Sequence, residues 1–291
     1  MFDFLTDSLN EFIRDFLRGW VMANLEDLFN GVNNKVSTIG FDVGKTPSSW
    51  NSSIFSMIRT LSENVVVPIA GIIITYVLCY ELIAMVMDKN NMHEFDTALF
   101  FRYLFKACIA VLLLSNTSDI VMAAFDVGSH MANSAAAQIV DSTRISVSST
   151  IQDMFTAQLY TMPTGDLISL GFETMISKLC LRIISMLITV IIYGRMIEIY
   201  LYVSVAPIPF ATFANREWGN IGTNYVRGVF ALALQGFFIM VCVGIYAVLV
   251  SRLSVESNLH EAVWQIMAYT VVLCFSLFKT GSLAKSVLNA R

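Results

Sequence analysis

The chain alternates between long apolar segments and shorter polar ones. Its longest apolar segments cover residues 65–87, 98–114, 178–205, 225–250 and 261–279. A helix needs about 20 residues to cross the hydrocarbon core of a bilayer, and these segments have that length. Once helical, they satisfy their backbone hydrogen bonds internally and need no aqueous partner. The pattern therefore predicts an all-α polytopic membrane protein with about five transmembrane helices.

The composition agrees with a membrane protein. Hydrophobic residues make up 56% of the chain and charged residues only 14%, whereas soluble domains carry about 25% charged residues. The net charge of -4 gives no sign of the clustered basic surface that nucleic-acid-binding domains present. The 5 cysteines lie one in each predicted span and show no CxxC pair or secreted disulfide spacing. We therefore expect them to be small buried side chains.

The N-terminal segment predicts an amphipathic helix. One helical face carries Leu5, Leu9, Phe12, Ile13, Phe16 and Trp20. Such a helix suits the plane of the membrane interface or a partner helix, and packing against the protein's own membrane domain is the other interpretation. The segment lacks the basic leader and unbroken apolar run of a cleavable signal peptide. Residues 30–53, which are rich in Gly, Asn, Ser and Thr, predict a polar loop.

A more polar helix is predicted over residues 120–140. Small residues that would let helices approach closely recur there as Ala124, Gly128, Ala132 and Ala136, and in the fourth span as Gly236 and Gly244. Polar side chains such as Asp126 and His130 make the 120–140 helix too polar to face lipid. We expect an extramembrane or pore-side helix, and a sixth crossing is the alternative. Residues 141–165 predict an exposed Ser/Thr-rich loop.

The distribution of basic residues near the span ends predicts the orientation. One side carries Lys89, Arg102, Lys106, Arg216, Arg227, Lys279, Lys285 and Arg291, and the other carries Arg59, Lys178, Arg182 and Arg252. By the positive-inside rule the first side is cytoplasmic, so we predict the N-terminus outside and the C-terminus inside. The predicted domains are 1–64 (extracytoplasmic amphipathic helix and polar loop), 65–120 (first two transmembrane helices), 121–177 (extracytoplasmic helix and loop) and 178–291 (last three transmembrane helices, with a cytoplasmic elbow at 206–224).

Ionisable residues inside predicted spans are costly and point to pairing or function. Arg195 and Glu198 lie three apart in the third span, on neighbouring positions of one helical face. They form either a self-neutralising pair for packing or a pore-facing or subunit-contact site. Glu81 would meet Arg102 and Lys106 at similar depth in an antiparallel neighbour. We predict an interhelical ion pair there, and snorkelling of both basic side chains is the alternative.

No constellation predicts catalysis, a cofactor or a metal. His93, His130 and His260 are scattered along the chain, without a ligand cluster around them. Gly44, Lys45 and Thr46 match the end of a phosphate-binding loop, but its earlier glycine is missing because position 39 is Ile39. We therefore predict a non-enzyme that uses no cofactor.

The connection after the third span is the most distinctive segment. We call this connection the elbow, and its candidate functional residues are Pro207, Pro209, Phe213, Arg216, Trp218 and Arg227. The prolines stop the helix, and the aromatic residues suit headgroup depth. We predict a stiff cytoplasmic elbow that contacts a partner; an ordinary connection between spans is the alternative.

This layout resembles the TrbL-like polytopic subunits of type IV secretion and conjugation machines. The resemblance covers residues 65–288 and rests on the span layout and the A-P-I-P end of the third span, followed by a Trp-bearing turn and a Gly/Ala-rich fourth span. It implies a bacterial inner-membrane channel subunit that forms a ring-like homo-oligomer among membrane lipids. It also implies that the protein functions together with the ATPases that energise transfer, and that single-stranded DNA with its relaxase is the transient cargo.

Two other classes of function stay open on the sequence. A small-molecule or ion transporter would need paired broken helices with converging polar groups, and the sequence offers only Arg195 and Glu198. A membrane scaffold without a conduit fits the amphipathic N-terminus and the small-residue stripes equally well.

Overall fold

The computed structural model describes residues 2–87, 97–142, 149–215, 217–253 and 258–290. Within these ranges the chain is helical, with no β-strand. The helices are α1 (Phe2–Val43), α2 (Pro47–Trp50), α3 (Ser52–Leu61), α4 (Val67–Met87), α5 (Thr97–Ser115), α6 (Thr117–Ser142), α7 (Ser149–Thr161), α8 (Thr164–Val205), α9 (Pro207–Ala211), α10 (Gly219–Leu253) and α11 (Leu259–Val287).

Several of these helices have the length and hydropathy of membrane spans. In the described part of the chain they are Ser52–Met87, Thr164–Ala211, Gly219–Val250 and Leu259–Val287. A fifth crossing results if Phe100–Ser115 and Thr117–Ile139, which are bent by 64° at Asn116, form one span. The predicted second span thus corresponds to α5, which is long and apolar enough to cross a membrane only together with α6. The prediction of an all-α polytopic membrane protein is confirmed.

A π-helical turn, Ser62–Val66, joins α3 to α4. In this turn the backbone N–H of Val67 donates to the carbonyl of Ser62, five residues earlier. Pro68 follows directly, and a proline ring clashes with the carbonyl four residues before it in a regular helix. The wider turn relieves that clash, so the helix continues into the first predicted span.

The chain divides into two compact units. Unit one comprises residues 1–43, 133–192 and 239–279, and unit two comprises 44–132, 193–238 and 280–291.

The core of unit two is built by α6, α8, α9 and α10. Its buried members are Val121, Ala124, Phe125, Met196, Ile199, Tyr200, Val203, Ala206, Phe210, Val229, Leu232 and Ala233. On α8, Met196, Ile199 and Val203 are spaced three and four residues apart, so they share one buried face. In a second cluster of this unit, Ala70, Ile74, Val77, Ala110, Leu114, Ala211 and Ala214 pack together.

In unit one, α1 is longer than the sequence predicts. The predicted polar loop at 30–53 is wrong for most of its length, because α1 continues to Val43, and α2 and the start of α3 occupy most of the rest. Ile39 and Val43 are fully buried, and burial at a helical spacing offsets the weak helix propensity of the neighbouring Gly and Asn residues. The predicted loop at 141–165 is likewise helical over Ser149–Thr161, whereas 143–148 lie outside the described residues.

The predicted amphipathic face of α1 is exposed from Leu9 to Phe16, whereas Trp20, its last residue, is half-buried and packs edge-to-face on Phe172 of α8 at 6.3 Å. Phe12 and Phe16 are 71% and 65% exposed, and the side chain of Leu5 lies outside the described part. Further along, the helix packs into its own unit through buried apolar residues, among them Val21, Leu25 and Leu28. Two arginines add polar contacts nearer the N-terminus. Arg14 donates to the carbonyl of Met162 at 3.1 Å, and Arg18 lies over the ring of Tyr160. Within unit one, the apolar face near the N-terminus is therefore open to lipid or a partner.

The expected burial of the cysteines is wrong for most of them. Cys79 and Cys108 are exposed, Cys180 and Cys242 are half-buried, and Cys274 is buried. A span helix turns part of its apolar surface away from its own bundle, and cysteine is apolar enough to occupy such a surface.

Candidate functional site

The elbow in unit two begins where α8 ends. α8 stops at Val205, and α9 (Pro207–Ala211) follows after Ala206 with proline at its first position. Proline has no N–H to donate and is tolerated at the start of a helix. The backbone N–H of Phe210 donates to the carbonyl of Ala206 at 3.3 Å. The proline pair therefore sits in a short helix that continues α8 before the chain turns.

Two buried polar residues hold the turn itself. The Asn215 side-chain oxygen accepts from the backbone N–H groups of Glu217 at 2.7 Å and Trp218 at 2.9 Å. The Thr212 hydroxyl donates to the Pro209 carbonyl at 2.7 Å and accepts from the N–H of Gly222 at 3.2 Å. Sequence reasoning missed both residues, although an Asn shortly before a helix start is a turn signal.

Gly222 lets the start of α10 approach the elbow closely. A Cβ atom on this glycine would lie 2.7 Å from the Pro209 carbonyl oxygen and 3.1 Å from the ring of Phe213. The ring of Phe213 in turn packs edge-to-face on Phe210 at 5.3 Å. The predicted elbow residue Phe213 is thus an internal brace of the turn.

Aromatic residues connect the elbow to α4. The indole of Trp218 stacks on the ring of Tyr76 at 5.8 Å, with an interplanar angle of 25°. The Tyr80 hydroxyl lies 3.4 Å from the Glu217 carboxylate. Trp218 nevertheless keeps 42% of its surface exposed, which leaves much of the indole for another contact. Arg216, the predicted partner contact beside it, lies outside the described residues.

Arg227 lines a polar cavity in unit two rather than the turn. The cavity has a volume of about 320 Å³ and is lined by Asn220, Thr223, Asn224, Arg227 and Asn289. Arg227 is exposed. The amide and guanidinium groups make this a hydrogen-bonding surface with one positive charge.

The structure brings Glu81 and Lys106 together. The ammonium group of Lys106 donates to the Glu81 carboxylate across the α4–α5 hairpin, with side-chain exposures of 37% and 14%. Arg102, one turn before Lys106, is exposed, and no ion pair links it to another described residue. Of the two predicted cations, Lys106 is therefore the one that meets Glu81 in the described part of the chain.

Glu198 has a different ion-pair partner from the one that the sequence suggests. Its carboxylate accepts from Lys285 of α11 at 2.9 Å, and both side chains belong to unit two. Arg195 is only 6% exposed, and its guanidinium donates to the Leu232 carbonyl of α10 at 3.4 Å. A Cβ atom on Gly236 would lie 2.8 Å from that guanidinium, so Gly236 provides the space that Arg195 occupies.

The predicted small-residue stripes lie at close helix contacts within each unit. In unit two, a Cβ atom on Gly128 would lie 2.6 Å from the backbone oxygen of Ala233, while Ala124 and Ala132 are buried. In unit one, a Cβ atom on Gly244 would lie 2.9 Å from the side chain of Ile139, and one on Gly40 would lie 4.0 Å from Ala136. At Gly128 and Gly244 the helices can approach this closely only because glycine has no side chain.

No metal site emerges from the part of the chain that the structure describes. There, no group of three or more His, Cys, Asp or Glu side chains could hold a metal ion. His260, one of the candidate histidines, instead contacts the Glu173 carboxylate at 2.8 Å.

Comparison with known families gives a match. The family model described as TrbL/VirB6 plasmid conjugal transfer like protein matches residues 32–207, which is more than half of the 291-residue chain. The matched segment runs from the second half of α1 to Pro207, the first residue of α9. No curated protein and no solved structure matches the chain. The chain therefore belongs to the TrbL/VirB6 plasmid conjugal transfer-like family.

Proposed function

We propose that the protein is a membrane channel subunit of a conjugative type IV secretion system that helps relaxase-bound single-stranded DNA cross the inner membrane. The family match over residues 32–207 carries this proposal, since it makes the chain a component of a conjugal transfer system that works with other transfer subunits. The apolar helices agree with a multi-pass inner-membrane protein. A homo-oligomer beside the transfer ATPases is the assembly that we propose for it.

The elbow is the part that we propose to contact a partner on the cytoplasmic side. Buried hydrogen bonds of Thr212 and Asn215 fix its shape. A segment that is already rigid loses little conformational entropy when it binds a partner. Trp218 presents an exposed aromatic surface, and aromatic side chains are enriched among the residues that dominate protein interfaces. This interpretation requires the elbow to face the cytoplasm.

Trp218→Ala is expected to reduce DNA transfer to recipient cells by about 30-fold or more, through the loss of an interface hot spot worth at least about 2 kcal/mol. The protein should remain inserted, because an aromatic stack such as that with Tyr76 contributes only about 0.5–1.5 kcal/mol. The measurement is mating frequency, taken beside a membrane-fraction blot and a crosslinked-oligomer ladder.

Two controls sharpen this experiment. Trp264→Ala removes an equally exposed tryptophan (46% against 42%) from α11 and should leave mating unchanged. Tyr76→Ala removes the stack but keeps the indole, so it should reduce mating less than Trp218→Ala. Normal mating by Trp218→Ala would remove the elbow from the mechanism. Normal mating by a complete gene deletion would overturn the proposed function itself.

Cysteine labelling tests the proposed orientation. In a background without the native cysteines, Ala157→Cys on the exposed face of α7 should react with an impermeant maleimide in spheroplasts. Ser286→Cys, also exposed, should react only after the membrane is permeabilised. We expect this difference because the positive-inside rule places the C-terminus in the cytoplasm. Labelling of Ser286→Cys alone before permeabilisation would show the reverse orientation.

A further inference from the structure

Unit one contains a cavity of about 400 Å³ between α1, α8, α10 and α11. Its charged lining consists of Asp27, Lys35, Lys178 and Arg182, that is, three cations and one carboxylate. Lys178 donates to the Asp27 carboxylate, and this hydrogen bond lowers the pKa of Asp27. Arg182 also acts electrostatically on Asp27, but this single carboxylate faces three cations, so the lining keeps a surplus of positive charge.

In the described structure the hydrogen bonds of Lys35 go to uncharged acceptors, while the carboxylate of Asp42 acts on it electrostatically. Its ammonium group donates to the carbonyl of Ser185 at 2.9 Å and to the Thr189 hydroxyl at 3.0 Å. An ammonium group has three N–H donors, so one remains for a ligand. Burial lowers the pKa of Lys35, because desolvation disfavours its charged form. A bound anion would offset that desolvation.

The rest of the cavity is apolar. Leu181, Ile188 and Leu273 form part of its wall, and Tyr246 and Thr270 bond to each other at 2.9 Å in its lining. A free inorganic anion would gain nothing from such a wall, whereas an amphiphile would bury part of its hydrocarbon there. The lining therefore fits a molecule with an anionic head and an apolar tail.

The position along α8 also fits a membrane interface. α8 has 42 residues and is therefore about 63 Å long at 1.5 Å per residue, about twice the thickness of the hydrocarbon core. After Arg182 the helix carries no ionisable side chain of Asp, Glu, Lys or Arg until Arg195. On the same stretch, Ile183 and Met186 are 55% and 70% exposed. Lys178 and Arg182 thus lie where the apolar stretch begins, which is where basic residues meet headgroups.

We propose that this cavity binds the phosphate headgroup of an anionic phospholipid, with Lys35 and Arg182 recognising the anion. A basic pocket between membrane helices is a physically suitable headgroup site. The acyl chains extend along the exposed apolar face of α8. The proposal holds whether or not the protein conducts DNA.

The test uses the full-length protein, delipidated in a neutral detergent and titrated with phosphatidylglycerol or phosphatidylcholine. Thermal unfolding and native mass spectrometry report binding. Phosphatidylglycerol should raise the unfolding midpoint and remain bound, whereas phosphatidylcholine and inorganic phosphate should not. Arg182→Gln and Lys35→Gln should each weaken the apparent affinity about tenfold, because each removes a charge-assisted hydrogen bond.

Arg59→Gln is the matched control, since it removes the same charge from an exposed site in unit two and should titrate like the wild type. Arg182 is exposed, so its substitution decides the test even where Lys35→Gln fails to fold. Equal responses to both lipids, or wild-type affinity in Arg182→Gln, would overturn the proposal. An equal response to inorganic phosphate would also overturn it, in favour of a site for free anions.

Discussion

Gly128→Ala is expected to lower the free energy of unfolding by about 1–3 kcal/mol, which is the usual cost of overpacking a close contact. The new Cβ atom would lie 2.6 Å from the backbone oxygen of Ala233 and 2.8 Å from its Cβ atom. Neither atom belongs to a flexible side chain, so α6 or α10 must shift within unit two. The measurement is reversible unfolding of the detergent-solubilised protein in a denaturant titration, followed by circular dichroism.

Gly71→Ala on α4 is the matched control, because a Cβ atom there meets nothing within 4 Å. Replacing a helical glycine by alanine then stabilises a helix by about 0.5–1 kcal/mol. The two identical substitutions should therefore change stability in opposite directions. If both variants unfold at the same denaturant concentration, α6 and α10 do not approach each other as closely as described.

The sequence predicts best what depends on hydropathy and on neighbours along the chain. The spans follow from segment length, and the proline pair predicts the end of α8 at Val205. The contact between Glu81 and Lys106 is predictable because the two residues are only 25 apart and an antiparallel hairpin puts them at similar depth. Local geometry thus carries the prediction in each of these cases.

The sequence fails where burial decides the conformation. The Gly- and Asn-rich composition around residues 30–43 predicts a loop, but Ile39 and Val43 become fully buried and keep α1 helical. Propensity is a weak prior that tertiary packing overrides. The exposed apolar face at Phe12 and Phe16 is the converse case, since α1 packs into its unit through other apolar residues such as Val21 and Leu25.

Long-range partners are the other kind of information that the sequence does not contain. Lys285 lies 87 residues from Glu198, and the hydropathy pattern places it beyond the last predicted span, near the cytoplasmic surface. Arg195, only three residues from Glu198, is the obvious partner by spacing. The guanidinium of Arg195 instead occupies the space beside Gly236 and donates to the Leu232 carbonyl. That choice depends on how α8 and α10 pack in unit two.

Lys285→Gln is expected to cost about 2 kcal/mol of unfolding free energy, because it removes the described ion-pair partner of a carboxylate on a span helix. This value lies between the ~0.2–1 kcal/mol of exposed ion pairs and the ~3–5 kcal/mol for breaking a buried one. The side chains of Lys285 and Glu198 are 38% and 40% exposed, which places the pair between these limits. Denaturant unfolding of the solubilised protein measures the loss.

A double-mutant cycle with Glu198→Gln isolates the interaction itself, and we expect a coupling energy of about 1–2 kcal/mol, between the limits for exposed and buried pairs. Arg59 and Glu63 provide the matched control: their pair has a similar distance, 2.8 Å, but side-chain exposures of 50% and 52%. As an exposed pair four residues apart on a helix, it should couple by no more than about 0.5 kcal/mol.

Exchanging the charges, Glu198→Lys with Lys285→Glu, should restore most of the stability that either single reversal loses. Additive single substitutions, or no rescue by the exchange, would show that Glu198 does not depend on Lys285, and Arg195 would then again be the first partner to test.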